Sequence, residues 1–160
     1  MDQSVGLMVS YQTERARDLW PEITPLLQQH WQEISTYLDI PLDPDVSRYN
    51  EADDADLLRC FTARLGGTLI GYAVFFLANL HYRSTKIMIQ DVLFILPEYR
   101  RGRAGIGLIK FSEDKLREEG VAAVYQHQKI EHPVLGVILK RMGYTMVENI
   151  WAKRLDSKGE

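Results

Sequence analysis

Between residues 100 and 107 the chain concentrates the residue types best able to hold an anion: Arg100, Arg101 and Arg103, interleaved with Gly102, Gly105 and Gly107. The cluster lies inside DVLFILPEYRRGRAGIGLIKF (residues 91–111), after an apolar run and Pro97 and before a pattern with helical spacing. Guanidinium groups make charge-assisted hydrogen bonds to phosphate oxygens. Glycines let a backbone approach an anion closely. A helix opening near Gly105 adds unpaired amides and the positive end of its dipole. Two well-known phosphate motifs fail here. Gly102 and Gly107 have the glycine spacing of a P-loop, but Leu108 and Ile109 stand where that motif needs a lysine and a hydroxyl. A dinucleotide fingerprint would need the reverse glycine spacing and a place after a first strand. A pyrophosphate cradle and a merely tight turn are both compatible with these residues.

The elements that must position the turn follow from hydrophobic spacing. Residues 6–12 read as a first strand, and Thr13 is placed to cap a helix. Leu19, Ile23, Leu26, Leu27, His30 and Trp31 then recur at helical spacing. Pro21 and Pro25 each remove a backbone donor, so the reading is a helix that restarts near Ile23, with a continuation or a second helix to Tyr37. Residues 39–54 (DIPLDPDVSRYNEADD) read as a long acidic loop, either a mobile lid or a solvated connection. Runs at 57–65 and 68–77 flank Gly66-Gly67, a strong hairpin signal. Residues 86–96 are apolar on both faces, as in a central covered strand. A helix over 105–119 stops at Gly120, a strand follows over 121–130, and Pro133 opens a helix that Gly143 ends. Residues 144–155 read as a last strand. The order β, α (one or two), β-β-β, α, β, α, β predicts an α/β fold with a mixed sheet: hairpins first, then a parallel crossover around the 105–119 helix.

Whole-chain properties bound the rest. The 160 residues suit one domain, 1–155, with a polar tail over 156–160, and 46% apolar residues supply a core. A net charge of −3 argues against a general nucleic-acid binder. A single cysteine, Cys60, precludes an internal disulfide framework and fits a reducing cytoplasm. It reads as a small buried hydrophobe. The first residues lack the basic and apolar regions of a signal peptide, and no apolar run approaches the roughly 20 residues that cross a bilayer.

Three segments together carry a family resemblance. LFILPEYRRGRAGIGLIKF (93–111) resembles the signature of the GNAT superfamily of acyl-CoA-dependent N-acetyltransferases, and is similar to phage-associated and bacterial members. In that family a strand, a proline and an aromatic lead through a turn of the form [QR]-x-x-G-x-[GA] into a helix. KRMGYTM (140–146) resembles the later signature, and GGTLIGYAVF (66–75) resembles the family's second and third strands. This chain has Gly102 at the motif's Gln or Arg position, with Arg101 and Arg103 flanking it.

The resemblance implies a co-substrate, acetyl-CoA, no metal, and direct attack by an amine in a ternary complex. It places the pyrophosphate on Arg101, Gly102, Arg103, Ala104, Gly105, Ile106 and Gly107. It gives the backbone of Leu93, Phe94 and Ile95 to the pantetheine arm, with the parallel strand pair splayed there. Asp91 is the expected general base, since strand alternation would set it on the face of Leu93 and Ile95. The alternative is a salt-bridged strand aspartate. His127, on the next predicted strand, is the second candidate, with a structural role as its alternative. The family's general-acid tyrosine position holds Leu139, so Tyr125, Tyr144 or water is left to protonate the thiolate, and His132 is placed to cap a helix. His30 and Glu33, one helical turn apart, either meet a cationic acceptor or form a surface pair. The acceptor is a small-molecule or peptide amine, and a homodimer could form on the last strand. Two rivals are a GNAT-like CoA-binding protein without catalysis and a nucleic-acid-modifying member.

Overall fold

The computed structural model describes residues 8–78 and 81–156. Residues 6–7 of the expected first strand and 157–160 of the expected tail lie outside them. The chain divides into two compact units, Met1–His127 and Gln128–Glu160.

In the first unit the order is β1 (Val9–Glu14), α1 (Ala16–Ile34), α2 (Val46–Asp54), β2 (Leu58–Leu65), β3 (Thr68–Leu77), β4 (Lys86–Ile95), a 3₁₀ turn (Pro97–Tyr99), α3 (Ala104–Glu118) and β5 (Val121–Tyr125). The sheet runs in that strand order, antiparallel from β1 to β4 and parallel between β4 and β5. This is the mixed sheet that the element order predicts. The β2–β3 hairpin turns on Gly66 and Gly67, both at positive φ (55° and 83°), as a tight turn of the primed type requires.

Both faces of the sheet are covered, which is why its central strands read as continuous apolar runs. On one face Phe61, Ile70, Phe75, Met88 and Ile95 pack with Leu108 and Leu116 of α3. On the other, Leu58, Cys60, Tyr72, Val74 and Phe94 pack with Leu19 and Ile23 of α1. Cys60 is buried among them as expected, and burial pushes its thiol up to about 12.

Two helical expectations fail for tertiary reasons. α1 is one continuous helix through Pro21 and Pro25 rather than a restart near Ile23, and it ends at Ile34, short of Tyr37. Both prolines lie on its exposed face, where a helix wrapping a core already stretches its hydrogen bonds. Its buried stripe is uninterrupted. Thr13 does not cap it, because Thr13 stays in β1 opposite Phe61. The cap comes from α2 instead. The Asp53 carboxylate, nearly buried, accepts from the Ala16 amide at 2.8 Å and from Arg15 at 2.9 Å. The second failure is α2 itself, expected as part of a loop. Asp45 starts it by accepting from the Arg48 amide at 3.0 Å, and Trp20 of α1 donates to Asn50 at 3.0 Å.

The second unit holds α4 (Pro133–Arg141). His132 gives it no side-chain cap. Its C-terminus closes with Gly143 at φ 94°. The Gly143 amide donates to Lys140 O at 3.1 Å and the Tyr144 amide to Leu139 O at 3.0 Å, the paired bonds of a Schellman ending. Residues 144–155 form no strand, against expectation. An isolated strand has nothing to satisfy its backbone, and this segment pairs with none among the described residues. No helix among those residues is long and apolar enough to cross a membrane.

Candidate active site

The site begins with an irregularity in β4. Val74 faces Val92 across the β3–β4 ladder and Phe75 faces Gln90, so Asp91 is the extra residue of a bulge. Bulges re-aim side chains, and this one does. The Asp91 carboxylate accepts from the Tyr49 hydroxyl of α2 at 2.6 Å. Tyr49 packs with the α1-side cluster, whereas Leu93 and Ile95 pack with the α3-side cluster. The alternation expected for Asp91 therefore breaks, and the residue faces away from Leu93 and Ile95. Burial, then the bond to Asp91, raises the Tyr49 pKa, so it stays a protonated donor at neutral pH.

On its other side β4 loses its partner. The parallel ladder with β5 covers only Lys86 to Ile89. From Asp91 to Ile95, β4 is paired with β3 alone among the described residues. One bond spans the opening, from the His127 amide to Gln90 Oε1 at 2.8 Å. β5 ends at Tyr125, so the exposed His127 lies beyond the strand on which it was expected. Beside it, both polar atoms of the Gln126 amide are buried without a hydrogen-bond partner among the described residues.

The glycine-arginine turn stands at the end of this free edge. α3 opens at Ala104, one residue before the expected start, and no side chain caps it. Its first backbone bond runs from the Gly107 amide to Arg103 O at 2.8 Å, so the amides of Ala104, Gly105 and Ile106 precede the ladder. The glycines divide by role. A Cβ at Gly107 would lie 2.0 Å from the Tyr11 hydroxyl, which itself donates to Ala104 O at 3.2 Å. Gly107 is therefore a packing glycine. Neither Gly102 nor Gly105 has a positive φ, and a Cβ on either would meet nothing closer than 3.7 Å. Glycine costs about 0.5–1 kcal/mol relative to alanine in a helix, and nothing inside the protein requires it at these two places.

The arginines divide similarly. Arg100 is a strut: its Nε donates to Ile95 O at 2.7 Å, its Nη2 pairs with Glu33 at 2.7 Å, and its guanidinium lies 5.5 Å from the Phe94 ring centre. Arg101 and Arg103 are exposed and make no ion pair among the described residues. Two free guanidiniums, uncapped helix amides and space left by two glycines fit a pyrophosphate.

Across the sheet, on the α1 side, a cavity of about 140 Å³ opens. Trp20, Trp31, Ile34, Leu42, Tyr49 and Val92 are among its walls. His30 lines it too. The ring of His30 is buried, tilted by 32° against the Phe94 ring at 4.6 Å between centres, with Nδ1 3.1 Å from the Tyr72 hydroxyl. Burial, then the charge of Arg100, pushes its pKa down to about 4. The neutral ring keeps one hydrogen bond inside the protein, between Nδ1 and the Tyr72 hydroxyl. His30 and Glu33 are thus separated in role: one is a buried neutral ring, the other an ion-pair partner of Arg100. Sequence reasoning missed Tyr49 and Tyr72 as site residues, and it grouped Arg100 with the anion-holding arginines rather than as a strut. Only the spacing of Tyr49 and Ala52, three residues apart in an otherwise mostly polar segment, signalled α2. Among the described residues no group of three or more His, Cys, Asp or Glu side chains could hold a metal ion.

Residues 16–144 match the profile described as the acetyltransferase (GNAT) family. No curated protein matches the chain in sequence. Among solved structures, a ribosomal-protein-alanine N-acetyltransferase from Brucella melitensis biovar Abortus 2308 is 16% identical, with TM-score 0.71 over 93% of this chain and 100% of that one. The aminoglycoside N-acetyltransferase AAC(6')-Iy, in complex with CoA, is 18% identical, with TM-score 0.73 over 95% and 97%. A predicted acetyltransferase from Clostridium acetobutylicum, with acetyl-CoA, is 12% identical, with TM-score 0.68 over 92% and 96%.

Proposed function

Because the chain belongs to the acetyltransferase (GNAT) family, we propose that it is an N-acetyltransferase that moves an acetyl group from acetyl-CoA to a primary amine. The observation that carries this reading is the free edge of β4 from Asp91 to Ile95. It has an anion cradle at one end and a carboxylate beside a cavity at the other. Arg101, Arg103 and the amides of Ala104, Gly105 and Ile106, which precede the helix ladder, hold the pyrophosphate, with Gly102 leaving room for its approach. The free backbone of Leu93, Phe94 and Ile95 bonds the pantetheine amides, and the orphaned Gln126 amide is a further partner. The acetyl thioester supplies the electrophile.

Asp91 takes the proton that the attacking amine must lose, directly or through water, while Tyr49 holds the carboxylate in place. The N–C bond forms, the C–S bond breaks, and the thiolate takes up a proton from solvent. A thiol pKa near 8.5 makes that departure tolerable without a positioned acid. His127 stands next along the opening as a second proton acceptor. The reading is tested by titrating acetyl-CoA into the protein calorimetrically and measuring thiol release with a panel of amines. Failure to bind acetyl-CoA sinks it. A second reading, a CoA-binding protein without catalysis, is favoured by the buried Leu139 at the family's tyrosine position. Tight binding without turnover of any amine would select it.

A further inference from the structure

The cavity on the α1 side differs from what the acidic 39–54 segment suggests. Its walls contain no Asp or Glu. Leu42 and Pro44 line it, while Asp43 and Asp45 between and beside them are exposed to solvent. The chain alternates there, apolar inward and acidic outward. The nearby carboxylates are committed elsewhere: Asp53 to Arg15 and the Ala16 amide, Glu33 to Arg100. His30 is neutral and bonded to Tyr72. Nothing in the walls offers a cation a counter-charge, and burying an uncompensated charge is costly. A multiply charged acceptor has no place to put its second and third ammonium groups.

The size is also informative. A cavity of about 150 Å³ with apolar walls accepts one benzene molecule, and this one measures about 140 Å³. Trp20 is held edge-on to Tyr49 at 5.4 Å and tied to Asn50, so the aromatic wall is rigid before any ligand arrives. The cavity reaches the proposed chemistry at one point. Tyr49 is a wall residue, and its hydroxyl donates to Asp91. Val92, the neighbour of Asp91 on β4, is another.

We propose that the acceptor is a monoamine on a compact apolar body, an arylalkyl or branched alkyl amine of about one aromatic ring. Its apolar part sits among Trp20, Trp31, Ile34 and Leu42, and its nitrogen sits at the Tyr49–Asp91 end. This rests on the acetyltransferase reading and narrows its substrate class. The neutral amine attacks the acetyl carbonyl, forming an N–C bond as the C–S bond breaks. Asp91 receives one amine proton and the departing thiolate gains one from solvent, so the products are an N-acetyl amine and free CoA. An apolar chamber helps by favouring the uncharged amine.

The test compares 2-phenylethylamine and isoamylamine with putrescine, spermidine, kanamycin and a lysine-containing peptide, by thiol release at fixed acetyl-CoA. The apolar monoamines are expected to show kcat/KM at least tenfold above every polycation and the peptide. Leu42→Trp, which narrows the cavity from the covering segment, should raise the KM for 2-phenylethylamine at least tenfold and leave the KM for acetyl-CoA unchanged. A readout independent of turnover is available in the wild-type protein. 2-Phenylethanol, an uncharged mimic, should shift the indole N–H resonances of Trp20 and Trp31 and spare Trp151. Preference for a polycation or the peptide, or indole resonances unmoved by the mimic, overturns the proposal while leaving acetyl transfer intact. Absence of acetyl-CoA binding overturns the acetyltransferase reading first.

Discussion

At the scale of single residues, Asp91 and His30 show how one face of β4 sets chemistry. Asp91 stands out of register, exposed and held by one phenol. Asp91→Asn preserves the acceptor for Tyr49 but removes the base. The expected loss in kcat/KM is about 10²–10⁴ at neutral pH. Residual activity should climb about tenfold per pH unit until the amine deprotonates by itself, with acetyl-CoA affinity constant throughout. A loss below tenfold, with an unaltered pH profile, would remove Asp91 from the role. His30 makes a stability prediction instead. Folded, it titrates near 4; unfolded, it returns to about 6.5. Between those values the unfolded chain binds the extra proton, so the stability from burying the neutral ring is complete above pH 6.5 and lost as pH falls toward 4. The full span corresponds to about 3 kcal/mol. Urea midpoints measured from pH 7 to pH 4 should fall steeply for the wild type and less for His30→Gln, which keeps a hydrogen-bonding partner for Tyr72 but no titration in this window.

At the scale of elements, α3 separates two uses of glycine within one turn. Gly107 makes room for Tyr11 of β1, and Gly102 makes room for nothing in the protein. Gly107→Ala should therefore lower stability by about 1–3 kcal/mol through overpacking, read as a fall in denaturation midpoint. Gly102→Ala should leave that midpoint within error and weaken acetyl-CoA binding several-fold. If Gly102→Ala binds acetyl-CoA normally, the turn is only a turn. The same turn shows what a sequence can disclose. Gly66-Gly67, Gly120, Pro133 and Gly143 act through their own backbone, and each marked its boundary correctly. Pro21 and Pro25 misled because their cost depends on which face of α1 meets solvent, and that is settled only by docking against the sheet.

At the scale of the whole molecule, a net charge of −3 coexists with a local cluster of exposed arginines, and the two halves of the proposed reaction should respond differently to salt. Raising ionic strength from 50 to 500 mM should weaken acetyl-CoA binding several-fold, since the screening length between exposed charges shrinks from about 14 Å to about 4 Å. The KM of an apolar amine should stay flat or fall. Equal salt sensitivity of both would contradict the division between cradle and cavity. The candidate cradle could be proposed from the sequence alone because it is continuous, from Leu93 to Gly107, and a local motif carries it. The cavity could not, because Trp20, Leu42, Tyr49 and Val92 come from four separate stretches of chain and meet only after folding. The face of Asp91 was misread for the same reason: a bulge is a property of two strands. Tyr11 extends this dependence across the sheet. Lodged in the notch at Gly107 and bonded to Ala104, it indexes the mouth of α3 to the outermost strand. A purification tag or truncation that disturbs residues 9–14 would thus present in assays as a cofactor defect, although the injury lies on the rim farthest from β5.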